Sequence, residues 1–268
     1  MTKLKDALQY LFLTIVSIIS VFPLFWMVIA ATNTSVDISR GTLLPGTNMV
    51  KNFTNLIELQ PLFSSMGNSF RYATIMTLAA LLVCSMAGYG FEVFHDRAKD
   101  IVMAIVLLTM MIPFVSVMIP LFRMFSSLDL LNTTLGFVLP MIASPLVILL
   151  FRQSARSFPK DIIEAARLDG LNEFSIFIRM FIPTMRSTYA AAAVILFMSA
   201  WNAYLWPKVV LWDNTSITMP MLISNLTAGY VTDFGVLMLG VLLSTIPTIL
   251  IFFVLQKSFA EGITGSIK

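Results

Sequence analysis

Six stretches of this chain stay apolar long enough to cross a lipid bilayer, and nothing else in the sequence restricts the fold as much. A helix rises about 1.5 Å per residue and the hydrocarbon core is about 30 Å thick, so about 20 apolar residues span it while every backbone donor finds an acceptor within the helix. The stretches are approximately 8–31, 68–94, 101–122, 131–151, 187–206 and 235–255. With 58% hydrophobic and 12% charged residues, the chain lacks the polar surface to coat a water-soluble body of 268 residues. An all-α polytopic membrane protein with six transmembrane helices is expected. The opening MTKLK and the run behind it read as an uncleaved first span, because the run exceeds the roughly 7–15 residues of a signal-peptide core and holds Pro23 and Trp26.

Orientation follows from the basic residues. Lys3, Lys5, Arg97, Lys99, Arg152, Arg156, Lys160, Arg167, Arg179, Arg186, Lys257 and Lys268 fall on one side, twelve of the 17; Arg40, Lys51, Arg71, Arg123 and Lys208 fall on the other. The richer side is the cytoplasm, which places both termini there and turns the connections 32–67 and 207–234 outward. Trp201, Tyr204 and Trp206 then stand at the outer end of the fifth span, where an aromatic belt belongs. Five N-x-S/T triplets, at Asn33, Asn52, Asn132, Asn214 and Asn225, lie on the outer side, but such connections are rich in Asn, Ser and Thr and no glycosylation is assigned.

The same residues exclude several functions. A net charge of +3 without a basic cluster interleaved with aromatics gives nucleic acid nothing to bind. The single cysteine, Cys84, sits in an apolar run as a small hydrophobe, and the single histidine, His95, lies in a short connection as a solvated residue with no metal or acid/base set around it. No catalytic or metal site is expected. No G-x-x-x-x-G-K-[ST] run cradles a nucleotide. Ion-coupled transporters usually keep ionisable residues deep in their spans, at about 2.5–3.5 kcal/mol each on insertion scales. Here Arg71 and Glu92 stand at span ends, from which they can snorkel. Prolines at 23, 113, 120, 140, 145 and 247 either kink their helices or reflect the ordinary frequency of proline in membrane helices. Ala190 to Ala193 permit close helix packing.

One stretch, DIIEAARLDGLNEFSIFIRMFIP over 161–183, is charged and amphipathic between two membrane-grade segments. Asp161 with Glu164 approximates a capping box, Gly170 ends a helix running from about 162 to 169, and Asn172 caps a second helix that Pro183 stops or bends near Ile182. Phe174, Phe177, Ile178 and Phe181 repeat with helical spacing as one apolar face. The pair forms a knuckle. Ala165 and Ala166 keep its profile low and Glu164 and Asp169 offer carboxylates, which suits docking to a protein; the apolar face suits a membrane surface equally well.

The run E164-A-A-R-L-D-G170, followed by nine residues, Met180 and then Phe-Ile-Pro183, resembles the EAA loop of bacterial ABC-importer permeases, with Met180 and Ile182 replacing the usual Ile and Leu. SVFPLFWMVIAATNT, NSFRYATIMTLAALLVCSMAGYGF, MMIPFVSVMIPLF and WNAYLWPKVVL are similar to the corresponding parts of carbohydrate permeases of the maltose-transporter type. The tail QKSFAEGITGSIK is similar to that group's ending but lacks its Gly-Ala-Val-Lys-Gly finish. The resemblance implies the type I ABC importer permease fold in the bacterial inner membrane, divided as 1–67 (first transmembrane helix and extracytoplasmic loop), 68–257 (permease core with the EAA loop at 152–186) and 258–268 (cytoplasmic tail). It implies as partners a second homologous permease, a dimer of cytoplasmic ATPase subunits that bind ATP and Mg, and an extracytoplasmic sugar-binding protein, with no cofactor in this chain. Glu164, Ala165, Ala166, Asp169, Gly170 and Pro183 match the ATPase-coupling loop.

For sugar passage, Ser199, Asn202 and Tyr204 in MSAWNAYLW, with Ser244 and Thr245 in the sixth span, offer hydrogen-bonding groups; the competing reading is an interfacial belt with bonds between helices. Two alternatives to a carbohydrate ABC permease are an ion-coupled secondary transporter of small solutes and an ABC permease for a sugar phosphate.

Overall fold

The structure, a computed structural model, describes the backbone of residues 2–264 and the side chains of residues 5–256 other than 160 and 255. Every regular element among the described residues is helical. In chain order they are α1 (Thr2–Ala31), α2 (Ser35–Ser39), α3 (Met49–Leu59), α4 (Leu62–Val93), α5 (Arg97–Leu108), α6 (Phe114–Ser127), α7 (Thr134–Val138), α8 (Pro145–Ala155), α9 (Lys160–Leu168), α10 (Glu173–Ile176), α11 (Ile182–Thr184), α12 (Arg186–Trp201), α13 (Leu205–Val210), α14 (Met219–Leu226) and α15 (Phe234–Thr264). The expected all-α class holds.

Three helices are long and apolar enough to cross a bilayer unbroken: Lys5–Ala31, Leu62–Val93 and Phe234–Val254. The third and fourth expected spans are not continuous helices. Arg97–Thr109 meets Phe114–Ser127 at 98°, and Thr134–Met141 meets Pro145–Ala155 at 52°. Proline causes both breaks, because its ring pushes the residue before it out of the helical region. Ile112, before Pro113, sits at φ −82° and ψ 117°, and Ser144, before Pro145, at φ −72° and ψ 114°. Pro23, Pro120 and Pro247 stay inside helices, and Pro140 lies in the 3₁₀ turn Leu139–Met141. The fifth span ends at Trp201 rather than 206, with α13 as a separate short helix. The connection 32–67 is no open loop, since it carries α2, α3 and the start of α4; 207–234 likewise carries α14. The tail assigned to 258–268 falls outside the described side chains, and 265–268 outside the described backbone, while α15 runs across the expected boundary to Thr264.

The chain divides into two compact units. The first comprises 1–63 and 221–247. From Lys5 to Phe25 α1 is exposed, whereas Ile29, Ala30 and Ala31 at its end are buried with Leu56, Leu222, Val236 and Leu239. Two buried asparagines satisfy backbone carbonyls left over where α1 ends. Asn52 donates to Ala31 O at 2.9 Å and Asn33 O at 3.1 Å, and Asn33 donates to Ile29 O at 3.2 Å and, across the following connection, to Leu44 O at 2.9 Å. Both head N-x-S/T triplets, and their burial gives them a structural role.

The second unit comprises 64–220 and 248–268 and holds the larger core. Tyr72 stacks on Phe137 at 5.0 Å, and Phe151 meets Tyr189 at 4.7 Å. Cys84 is buried. Helices α4 and α8 touch at Gly88, where a Cβ would stand 2.5 Å from the Phe151 Cβ and 2.8 Å from the Arg152 nitrogen. The aromatic belt expected of Trp201 and Trp206 is not there: both are 1% exposed. Trp206 donates its indole N–H to Gly136 O at 2.9 Å, with the Phe125 ring edge-on at 5.4 Å. A tryptophan whose polar edge finds an internal acceptor has no need of the headgroup region.

Candidate functional site

The knuckle at 160–185 is built by local rules. Helix α9 begins after Pro159, with Asp161 in its first turn and no side-chain cap, so the expected capping box is absent. At its other end Gly170 takes φ +80°. The Leu171 N–H reaches Ala166 O at 3.0 Å and the Gly170 N–H reaches Arg167 O at 3.1 Å, the paired bonds of a Schellman motif. Asn172 Oδ1 then accepts from the Ser175 N–H at 2.8 Å, capping α10 as expected.

Beyond α10 the sequence expectation needs correction. Phe177–Phe181 forms a π turn, with the Ile182 N–H on Phe177 O, and the segment Glu173–Thr184 meets α12 at 83°. Pro183 sits at the start of α11, and the break falls at Met185, φ −92° and ψ 20°. The four apolar residues do not share one face: Phe177 and Phe181 are buried, Phe174 and Ile178 exposed. The buried rings stack at 5.6 Å and enclose Tyr89 of α4.

Helix α9 sorts its residues by side. Ile163 and Ala166 pack inward, while Glu164, Ala165 and Asp169 are exposed. Leu168 is 89% exposed one turn from Glu164 and stands on the same outward face. The sequence reading passed over Leu168, although its i+4 spacing from Glu164 was the available signal. Arg167 Nε binds Glu173 Oε1 at 2.6 Å, which joins the two knuckle helices and holds the guanidinium above its already high pKa.

Upstream, Arg152 of α8 is buried and paired with Glu92 of α4 at 3.4 Å and with Asp100 of α5. Glu92 also meets Arg156 at 3.4 Å, and His95 meets Asp100 at 3.1 Å. Glu92 is therefore paired within the protein rather than snorkelling free. A cavity of about 180 Å³ lies beside this network, lined by Glu92, Phe158, Ile163, Glu164 and Arg167 among others. Asp96 caps α5, accepting from the Lys99 N–H at 2.8 Å, and its ion pair with the Lys99 ammonium lowers its carboxyl pKa.

Of the sugar-path candidates, Ser199, Asn202 and Tyr204 line one cavity of about 390 Å³ with Phe114, Pro140, Met141 and Trp206. Ser244 and Thr245 belong to the other unit and do not line it; Thr245 donates to Val241 O at 2.8 Å. No group of three or more metal-ligating side chains occurs among the described residues. The arrangement is a two-helix projection, joined by the Arg167–Glu173 pair, on a bent chain path into α12.

Comparison with known proteins gives the family. The family described as binding-protein-dependent transport system inner membrane component matches residues 82–265. The lactose transport system permease protein LacG of Rhizobium radiobacter is 43% identical over 266 residues, 99% of this chain and 97% of that protein. The arabinooligosaccharides transport system permease protein AraQ of Halalkalibacterium halodurans is 33% identical over 259 residues, 94% and 93% of the two chains. A solved bacterial ABC transporter involved in the import of the acidic polysaccharide alginate contains a chain of the same fold, with TM-score 0.81 and 20% identity over 96% of this chain and 97% of that one. This chain belongs to the binding-protein-dependent transport system inner membrane components.

Proposed function

We propose that this chain is one permease subunit of an ATP-driven ABC importer for a carbohydrate, an oligosaccharide or glycoside, and that Glu164, Ala165, Asp169 and Gly170 form the contact through which an ATPase moves it. The outward face of α9 carries the reading: Glu164, Ala165 and Leu168 are exposed on a helix held at its C-terminal end by the Gly170 turn and the Arg167–Glu173 pair. Ala166 and Pro183 serve the same contact from behind, Ala166 by packing α9 down and Pro183 by turning the chain into α12. The companion permease, a dimer of ATPase subunits holding ATP and Mg, and an extracytoplasmic binding protein complete the importer. The relatives named for lactose and arabinooligosaccharides support the carbohydrate. The cavity lined by Ser199, Asn202 and Tyr204 offers a sugar mostly apolar walls with a few hydrogen-bonding side chains. Both termini lie in the cytoplasm on this reading.

The test uses purified complexes in proteoliposomes with lactose as probe. Glu164→Lys should weaken ATPase docking and lower uptake at least tenfold. Gly170→Val should uncouple hydrolysis from uptake, because a β-branched residue at positive φ is strained by roughly 1–2 kcal/mol, whereas Gly170→Asn should retain most uptake. Full hydrolysis and uptake in both Glu164→Lys and Gly170→Val would overturn the coupling assignment. Solute movement by the chain alone, driven by an ion gradient, would restore the secondary-transporter alternative.

A further inference from the structure

The knuckle is joined covalently to α12, but that joint is poorly suited to carrying force. It passes through a π turn and an 83° break at Met185, where a rotation of one or two dihedrals absorbs motion. A second connection runs sideways. Tyr89, 4% exposed near the end of α4, has the Phe177 and Phe181 rings edge-on at 5.4 and 4.9 Å, and Phe158 braces Phe181 at 5.7 Å. The Tyr89 hydroxyl donates to Glu173 Oε2 at 3.3 Å, and the other oxygen of that carboxylate holds Arg167 of α9. A single side chain of the second span thus touches the π turn through its ring and α10 through its hydroxyl on Glu173, which in turn holds α9.

We propose that Tyr89 is a positioning residue that locks the knuckle to α4, so that a push on the knuckle moves the second span. This rests on the knuckle being the ATPase contact. The ring cluster excludes water and supplies stiffness, since edge-to-face pairs are directional and packed interiors transmit displacement. The hydroxyl supplies register: a partly buried tyrosine hydroxyl held by a carboxylate resists sliding of α10 along α4.

The experiment measures distances by electron spin resonance in the full chain, assembled with its companion permease and ATPase subunits in nanodiscs. Cys84→Ser removes the single native thiol, and labels are placed at Leu82→Cys on α4 and Phe174→Cys on α10, both exposed. The parent should give one narrow distance, unchanged by ATP with vanadate. Tyr89→Ala should broaden it, and nucleotide should then shift it by several ångströms as the knuckle moves without the span. Tyr89→Phe, which keeps the rings, should recover most of the narrowness, a rescue that separates the lock from general misfolding. Glu173→Ala removes no core ring and should also broaden the distance. Distances in Tyr89→Ala and Glu173→Ala as narrow as in the parent, with and without nucleotide, would overturn the lock. Failure of the parent to retain ATPase subunits would overturn the coupling reading instead, and the nucleotide-free distances would still decide the lock.

Discussion

Arg152 is a buried cation in an apolar protein, and the residues around it explain how it is tolerated. An unpaired buried charge is strongly unfavourable, so its side chain, 6% exposed, must be met by acids. Glu92 and Asp100 meet it from two different helices, which makes Arg152 the staple between α4, α5 and α8. Arg152→Ala leaves Glu92 with only the exposed Arg156 as its charged partner among the described ion pairs. Removing one partner of such a pair should cost about 3 kcal/mol, the low end for buried pairs because Asp100 keeps water. The readout is the temperature at which buried Cys84 becomes reactive to a thiol dye in detergent, expected to fall by roughly 5–10 °C. Adding Glu92→Gln to Arg152→Ala should recover part of the loss. None of this was legible in the sequence. Arg152 counted there only for its sign, and Glu92 and Asp100 lie 60 and 52 positions away, a separation with no period to read.

The helical elements were legible to very different degrees. Where a local bond decides the structure, the sequence suffices: Gly170 adopts the positive φ, and Asn172 caps α10. Where two local rules compete, it does not. Hydrophobic length argued for continuous third and fourth spans, but Pro113 and Pro145 outweighed it, while Pro23 and Pro247 broke nothing. Which proline breaks its helix depends on what neighbouring helices supply to the freed backbone, and a linear pattern does not carry that information. The burial of Trp206 was hidden in the same way, because its acceptor, Gly136 O, is 70 positions distant. Close packing of α4 on α8 yields a prediction at this scale. Gly88→Ala places a methyl against the backbone of α8, which cannot swing aside as a side-chain tip can. It should destabilise by about 1–3 kcal/mol, as overpacking does. Gly90→Ala, two residues along the same helix with nothing within 4 Å of its Cβ position, should change stability by less than about 0.5 kcal/mol. Thermal stability by fluorescence-detected size exclusion compares the two directly.

For the whole molecule, sidedness rests on parity. With three unbroken spans, both termini share a side when all three bent pairs cross the membrane once, and one re-entrant pair would separate them; the pair with the sharpest bend, Arg97–Thr109 with Phe114–Ser127 at 98°, puts most at stake. Helix α5 alone, 12 residues, is about 18 Å long and falls short of the roughly 30 Å core, so a crossing here requires α6 as well. The charges favour completion: Arg97 and Lys99 stand in the first turn of the pair, and only Arg123 lies toward its far end. In a Cys84→Ser background, His95→Cys and Leu128→Cys bracket the pair at exposed positions. A membrane-impermeant maleimide applied to right-side-out vesicles should label Leu128→Cys and leave His95→Cys unlabelled until the vesicles are opened. Tyr230→Cys and Leu168→Cys, both highly exposed and separated by the bent pair Glu173–Thr184 with Arg186–Trp201, should divide in the same way, with position 230 labelled from outside and 168 only from within. If positions 95 and 128 react from the same side, the pair is a re-entrant hairpin, the crossing number becomes odd, and the two termini lie on opposite faces of the membrane. The side on which the knuckle lies is read separately from positions 168 and 230, because that comparison depends only on the bent pair that α12 completes.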